Sequence, residues 1–291
     1  MSAQATDHLP PGMAVGLPGR GQTWVYDTGP APDRPTVMLL HGWTSTAALN
    51  WTRAFPALAE RYRVVALDHR GHGRGIRSPR PFRLQDCADD AAALAGVLGL
   101  GPVIVAGYSM GGPVAMYTWR RHPEAVEGLV LCATAADFAA RRFFSGRIGT
   151  ASYGLSLALS AVPADLRRHW LGAILRNRVP AGEMEPWVRE EWERHDPAAL
   201  VQAGVALGRF DATTWIGEVD VPTAVVVTTL DERVAPARQW QLAQSIPGAG
   251  SFPVAAGHLA CAEAPGLFNP ALLAACRSVQ AAPSPAVESG A

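Results

Sequence analysis

Short apolar runs alternate along the chain with longer segments whose apolar positions repeat at helical spacing. The short runs are rich in valine, isoleucine and leucine without polar alternation, which is typical of strands buried on both faces of a sheet. We predict such strands at 36–40, 62–68, 103–105 (ending at Gly107), 126–132 and 221–229, and a last short strand at 250–254. An alternating strand at 22–27 precedes them, and residues 1–20 are rich in proline and glycine and have no predicted strand.

Helical periodicity fills most of the gaps between these strands. The predicted helices cover 50–61, 84–100, the segment from Met110 to Pro123, 237–245 and 265–279. In the second of them, Asp89 and Asp90 fall on the polar side. A strand and helix alternation of this kind predicts the α/β class, with a mostly parallel, doubly wound sheet and crossover helices.

The alternation stops between residues 138 and 210. This segment has no β-branched run, and its many aromatic and leucine positions recur near helical spacing between prolines. We interpret it as an inserted helical cap that lies over the site and lines an apolar pocket. The predicted core is then 1–137 with 211–280, and 281–291 is a disordered tail without a core-forming pattern.

Composition limits the classes of function. The chain has 291 residues and a formal net charge of zero, which gives no indication of a nucleic acid partner. We expect no signal peptide and no membrane span, because no apolar run approaches about 20 residues. Four cysteines without metal-ligand spacing indicate reduced, buried thiols and a cytoplasmic protein. Whether it is a monomer or a homodimer is not indicated.

A serine flanked by glycines stands between the strand at 103–105 and the helix that follows it. The sequence G-Y-S-M-G places Ser109 at the apex, with Gly107 and Gly111 two residues to either side. A turn this sharp crowds the flanking positions, which favours glycine there, and holds the serine hydroxyl exposed at a helix N-terminus. The pattern predicts a nucleophilic serine.

A serine nucleophile needs a base, and the base needs an orienting acid. His258 follows the last predicted strand in a Gly-His loop, and Asp231 follows the strand before it. The order Ser109, Asp231, His258 matches one known arrangement of the serine triad. Asp137, after the strand that follows the serine, is the alternative acid.

The strand at 36–40 runs into His41, Gly42 and Trp43, and the glycine permits a sharp backbone turn there. We predict that the backbone amides of Trp43 and Met110 donate to an oxyanion. His41 is interpreted as a brace for this loop. Asp68, His69 and His72 have the residue types of a metal site, but glycines crowd their spacing, so we predict no metal and no cofactor.

These motifs together resemble the α/β-hydrolase superfamily over residues 20–280. The motifs that carry the resemblance are H-G-W (41–43), D-H-R-G-H-G-R (68–74), G-Y-S-M-G-G (107–112), L-D-E-R-V-A-P (230–236) and G-H-L-A (257–260). The resemblance implies the α/β-hydrolase fold, a Ser-His-Asp hydrolase with backbone oxyanion donors, and a helical cap after the sixth strand. Epoxide hydrolases and haloalkane dehalogenases share the fold but have aspartate at the position of Ser109.

The resulting hypothesis is a carboxylesterase-type hydrolase (EC 3.1.1) that cleaves a small to medium apolar ester through an acyl-enzyme. A carbon–carbon bond hydrolase, a lactonase and a cofactor-free perhydrolase use the same triad and stay open as alternatives. A biosynthetic acyltransferase or cyclase and a non-catalytic ligand-binding protein also stay open. The cap differs most among relatives, so the motifs do not give the substrate.

Overall fold

The computed structural model describes residues 8–138 and 185–281, together with 154, 156–159, 162 and 166. Its described part is built on one eight-stranded sheet in the order β1-β2-β4-β3-β5-β6-β7-β8. β1 pairs antiparallel with β2, and β2 antiparallel with β4, whereas all other neighbours are parallel. The strands are β1 Gly12–Leu17, β2 Gly21–Asp27, β3 Thr36–Leu40, β4 Arg63–Leu67, β5 Val103–Tyr108, β6 Val126–Cys132, β7 Thr223–Thr228 and β8 Gly250–Val254. The predicted α/β class and mostly parallel sheet are confirmed.

The described part of the chain contains nine continuous α-helices, and most of them connect successive strands. They are α1 Ala47–Trp51, α2 Phe55–Ala59, α3 Leu84–Val97, α4 Gly111–Arg121, α5 Pro186–Glu193, α6 Pro197–Gly208, α7 Pro236–Ser245, α8 Ala260–Glu263 and α9 Pro265–Ala281.

Helices cover both faces of the sheet, as a doubly wound fold requires. On one face, buried side chains of α3, α4 and α7 pack against alternate residues of the strands. On the other, α1, α2 and α9 do the same with the remaining residues. Both faces of the parallel strands β3 to β7 are therefore buried, and this explains why their sequences are continuous apolar runs rather than alternating ones. The edge strand β8 is partly exposed.

Some predicted elements are wrong in detail. The strand β1 lies in the segment 1–20, for which no strand is predicted, and the predicted helix at 50–61 is two short helices, α1 and α2. Asp90 was assigned to the polar side of α3 but is buried, where it accepts two hydrogen bonds from Arg70 and one from Arg20. The predicted tail begins one residue too early, because α9 includes Ala281; residues 282–291 lie outside the described residues.

The described end of the predicted cap consists of α5 and α6, which lie between β6 and β7 in the chain. Both helices contact loops at the carboxyl end of the sheet. Polar contacts of these helices and of the residues between them with the core include Thr46 Oγ1 to Glu191, Gly73 N to His195 Nδ1, Asp196 N to Gly71 O, and Phe82 N to Gln202 Oε1. Most of 139–184 lies outside the described residues, so the boundaries at 138 and 210 stay predictions.

The chain reverses its direction of travel across the sheet between β3 and β5. From β3 it moves outward to β4, and it then returns to place β5 on the other side of β3. Ligands of open α/β sheets bind outside the carboxyl ends of the strands at such a reversal. The loops that begin at His41 and at Ser109 leave these two strands there.

Candidate active site

Ser109 occupies a strained turn between β5 and α4. Its φ of 51° lies in the left-handed region that residues with a side chain rarely adopt. A Cβ at Gly107 would lie 2.2 Å from the carbonyl oxygen of Gly111, and one at Gly111 would lie 2.2 Å from that of Leu40. Glycine is therefore required at both flanking positions by contacts with backbone atoms.

Hydrogen bonds hold both backbone groups of this serine. Its N–H donates to the carbonyl of Cys132 at 2.9 Å, which extends the pairing of β5 with β6. Its carbonyl accepts from the Thr134 hydroxyl at 2.8 Å and from the Gly112 amide at 2.9 Å. These bonds stabilise the turn against its unfavourable φ and leave the hydroxyl for other partners.

The structure brings Ser109, His258 and Asp231 into one chain of contacts. His258 Nε2 lies 3.0 Å from the Ser109 Oγ, and His258 Nδ1 lies 2.7 Å from Asp231 Oδ2. A carboxylate can only accept, so the proton of a neutral His258 ring resides on Nδ1 and Nε2 is left to accept from the serine. The hydroxyl of Tyr108 donates to the backbone carbonyl of His258 at 2.7 Å and fixes the loop that carries it.

The carboxylate of Asp231 is buried and surrounded by donors. Oδ1 accepts from the amides of Arg233 at 2.7 Å and Val234 at 2.8 Å. Burial alone raises the pKa of this carboxyl, but hydrogen bonds from His258, the Val234 amide and the Thr228 hydroxyl outweigh it and hold the pKa below the ordinary value. Asp231 is thus kept ionised where it faces His258.

The alternative acid, Asp137, lies elsewhere. Its carboxylate forms an ion pair with Arg238, whose guanidinium also donates to the Asp137 carbonyl at 2.5 Å. Its backbone forms an isolated bridge with Asp211. No contact between Asp137 and His258 is present in the described part of the chain.

The loop after β3 lies directly against the serine. A Cβ at Gly42 would be 3.3 Å from the Ser109 Cβ, and the Gly42 amide donates to Asn50 Oδ1 at 2.8 Å. Asn50 in turn donates to the thiol of Cys261, in the segment after His258, at 3.2 Å. Trp43 follows Gly42 in this loop, and Met110 precedes the first residue of α4, where helix amides have no intrahelical acceptor.

His41 supports this loop from within the core. Its Nε2 accepts from the amide of His69 at 2.9 Å, so the ring proton is on Nδ1, which donates to the Gly42 carbonyl at 2.8 Å. Burial, together with the neighbouring histidines, lowers the pKa of His41 well below its usual value. The ring is a neutral brace, in agreement with its interpretation from the sequence.

Trp43 also connects this loop to the inserted helices. Its indole Nε1 donates to the backbone carbonyl of Leu200, in α6, at 2.9 Å. The following residue, Thr44, has a φ of 58°, a second left-handed position beside the serine. The amide predicted as an oxyanion donor therefore belongs to a residue whose side chain is held by the insertion.

The D-H-R-G-H-G-R segment is a structural turn. Asp68 accepts from the amides of Ala47 at 2.9 Å and Arg74 at 2.8 Å, whereas Arg70 points to Asp90 of α3. Among the described residues, no group of three or more potential ligands could hold a metal ion, and no helix is long and apolar enough to cross a bilayer. The four cysteines are all buried and unpaired, as predicted.

Comparison with known proteins identifies the family. The pattern described as the alpha/beta hydrolase fold matches residues 35–265. This chain belongs to the alpha/beta hydrolase family. RutD from Caulobacter sp. (strain K31), an assigned carbamate hydrolase, is 30% identical over 256 residues, 84% of this chain and 91% of that protein. The pimeloyl-[acyl-carrier protein] methyl ester esterase of Neisseria meningitidis serogroup C is 30% identical over 194 residues, 65% and 73% of the two chains.

Solved structures show the same fold. The enol-lactonase from Burkholderia xenovorans LB400 has a TM-score of 0.71 at 22% identity, with 90% of this chain and 98% of that chain covered. The resemblance to the α/β-hydrolase superfamily inferred from the motifs is thus confirmed, and the protein is a hydrolase of this fold.

This alpha/beta hydrolase has site residues that the sequence did not reveal. Thr228 and Gln239 both contact the carboxylate of Asp231, from the end of β7 and from α7. A buried glutamine on a helix and a threonine at a strand end are weak signals, because each residue type is common in such places without a role in a site.

Four buried histidines predict how the stability of the hydrolase depends on pH. Burial lowers the pKa of His69 to about 3 and of His72 to about 4, and lowers those of His41 and His195 well below the ordinary value. The unfolded chain thus binds more protons below pH 6.5, so stability is complete above that pH and is lost as pH falls. Burial raises the pKa of Asp68 to about 6, so this carboxyl adds stability as pH falls. It is one group, and the four histidines together have the larger, opposite effect.

We expect the free energy of unfolding to fall by roughly 2 to 4 kcal/mol between pH 7.5 and 5.5. Urea unfolding at several pH values measures it. The variant His195→Asn, whose amide oxygen can still accept from Gly73 N, is expected to show a smaller loss. A free energy of unfolding that stays constant over this range would contradict the prediction.

Proposed function

We propose that this hydrolase cleaves a carboxylic ester of a small to medium apolar substrate through an acyl-enzyme on Ser109. The observation that carries the proposal is the continuous contact from Ser109 Oγ through His258 to Asp231. It supports a nucleophile, a base for its proton and an acid that orients the base, which are the three side-chain roles of serine catalysis.

In the proposed reaction His258 Nε2 takes the hydroxyl proton while Ser109 Oγ attacks the ester carbonyl carbon. The backbone amides of Trp43 and Met110 stabilise the oxyanion of the tetrahedral intermediate. The carbon–oxygen bond to the alcohol then breaks, and the proton passes from His258 to the departing alcohol. Water, deprotonated by His258, releases the acid and restores the serine. Asp231 stays ionised and stabilises the imidazolium.

The predicted cap gives the proposal its substrate class. The segment 138–210 is rich in aromatic residues and leucine, and α5 and α6 reach the loop of Trp43. An insertion of this composition beside the nucleophile favours an apolar acyl or ring group. The similarity to a methyl ester esterase agrees with an ester as the bond that is cleaved.

A carbamate or amide is the second candidate, because an assigned carbamate hydrolase is similar over 84% of this chain. The same residues would act, but the leaving group is then an amine and must receive its proton from His258 before the bond breaks. A lactone, a carbon–carbon bond beside a ketone and perhydrolysis are further uses of the same triad.

The experiment combines a fluorophosphonate probe with a panel of substrates. We expect one probe molecule per chain, located on Ser109 by peptide mass analysis, and hydrolysis of p-nitrophenyl esters of short and medium chain length. A matched carbamate, a lactone, a diketone and an ester with hydrogen peroxide are assayed beside them. If one of these substrates is turned over faster than the esters, it replaces the ester as the proposed substrate class. Absence of both adduct and turnover would favour a ligand-binding protein and overturn the proposal.

A further inference from the structure

The oxygen of Asp231 that faces His258 also receives donors from two other side chains. Oδ2 lies 2.7 Å from His258 Nδ1, 2.8 Å from the Thr228 hydroxyl and 3.2 Å from Gln239 Nε2. Thr228 and Gln239 are both fully buried. Neither has been given a role in the triad, and their contacts involve the atom on which the orientation of His258 depends.

The orientation of the Gln239 amide is fixed by its backbone partners. Oε1 accepts from the Thr228 amide at 2.9 Å, and Nε2 donates to the Val234 carbonyl at 2.8 Å. A backbone N–H can only donate and a backbone carbonyl can only accept, so the reverse orientation would break both bonds. The NH₂ group therefore faces Thr228 Oγ1, at 2.9 Å, and Asp231 Oδ2.

This orientation also fixes the proton of Thr228. Its hydroxyl oxygen accepts from Gln239 Nε2, and its single proton has two acceptors within reach, Asp231 Oδ2 at 2.8 Å and Gln239 Oε1 at 3.2 Å. The carboxylate is nearer and charged, and it takes the proton. A relay of donors thus runs from Gln239 through Thr228 to the oxygen that His258 contacts.

The relay has a chemical consequence for His258. Each donor to Oδ2 takes up part of the negative charge that would otherwise stabilise a protonated imidazole. With Thr228 in place, the carboxylate orients the ring and still leaves Nε2 neutral enough to accept the serine proton. Within the described residues, the titratable side chains in contact with this pair are Ser109 and Tyr108, the latter through the His258 carbonyl and ring.

We propose that Thr228, held by Gln239, is a positioning residue that limits the charge Asp231 presents to His258 and so sets the pH at which the base becomes active. This inference rests on the proposed function, because it assigns His258 the role of base. It extends that function by naming what adjusts the acid of the triad.

The test compares Thr228→Val with Thr228→Ser and with Thr229→Val. The first removes the hydroxyl at nearly constant shape, and the second retains it. The third is the same change at the next residue, whose hydroxyl donates to the Val254 carbonyl at 3.2 Å and does not contact Asp231. Each variant is assayed on a p-nitrophenyl ester between pH 5 and 9, and the concentration of active sites is measured by fluorophosphonate labelling.

In Thr228→Val we expect the acid limb of kcat/KM to move to higher pH by about half a unit to one unit. We also expect kcat on the plateau to fall by about threefold to tenfold with KM unchanged. Thr228→Ser and Thr229→Val should retain the wild-type profile. A Thr228→Val profile of unchanged shape, lowered equally at every pH, would show a merely structural role and overturn the inference.

The two proposals fail in different ways. If Ser109→Ala is inactive but the acid limb does not move in Thr228→Val, the triad stands and the role of Thr228 is wrong. If Ser109→Ala retains activity, the proposed function itself is wrong. Should Thr228→Val not fold, Gln239→Leu removes the donor to Thr228 while the hydroxyl stays, and a smaller shift of the limb in the same direction is expected. An unmoved limb there would overturn the inference as well.

Discussion

Replacing Ser109 with alanine is expected to lower ester hydrolysis by about four to six orders of magnitude. The hydroxyl oxygen is the only atom lost, and its contact with His258 Nε2 at 3.0 Å is the first step of the proposed reaction. Alanine retains the Cβ that the turn already accommodates. We therefore expect folding, the thermal midpoint and KM for any residual activity to change little.

The measurement is the initial rate on a p-nitrophenyl ester together with fluorophosphonate labelling of the same sample. The adduct should disappear with the activity. Ser45→Ala is the matched control, since Ser45 lies in the neighbouring loop and its hydroxyl donates to the Thr46 carbonyl at 3.4 Å. If Ser109→Ala hydrolyses the ester at the wild-type rate, another residue is the nucleophile.

Replacing Asp231 with asparagine is expected to lower kcat by about three to four orders of magnitude. The amides of Arg233 and Val234 both donate to Oδ1, so the oxygen of the new amide occupies that position and its NH₂ group faces His258. A donor there forces the ring proton onto Nε2. The imidazole can then no longer accept the proton of Ser109, although the shape of the site is retained.

Asp137→Asn is the matched comparison, because it is the same change at the other acid that the sequence allowed. Asp137 pairs with Arg238 and not with His258, so we expect its kcat to stay within about threefold of the wild type. Rates for both variants on one ester at pH 8 decide the assignment. A larger loss in Asp137→Asn than in Asp231→Asn would reverse the roles of the two residues.

The parallel strands β3 to β7 and their order of appearance were predictable because each is a continuous apolar run ended by a glycine or polar segment. β6 and β8 have the bounds that the sequence predicts. The edge strand β1 was not predictable, because its glycines and the prolines before it weaken the apolar pattern. Its strand conformation depends on antiparallel pairing with β2. The burial of Asp90 was hidden for a related reason: its partners Arg20 and Arg70 lie far away in the chain.

The candidate site divides in the same way. Ser109, Asp231 and His258 each follow a strand, so the topology alone places them at one edge of the sheet, and motif order then pairs them. Thr228 and Gln239 contact Asp231 at 2.8 and 3.2 Å within a buried network, and no sequence spacing encodes those contacts. The predicted cap at 138–210 rests on composition alone, and most of it lies outside the described residues.

The bond from the Trp43 indole to the Leu200 carbonyl has a consequence for how such a site can diverge. A backbone carbonyl accepts whatever side chain stands at position 200, so residues along α6 can change while the loop beside Ser109 stays anchored. The reverse does not hold, because the side chain at position 43 must itself supply the N–H that donates to this carbonyl. A chimera that exchanges the insertion between relatives should therefore retain turnover when it keeps the path of α6, whatever residues the helix carries.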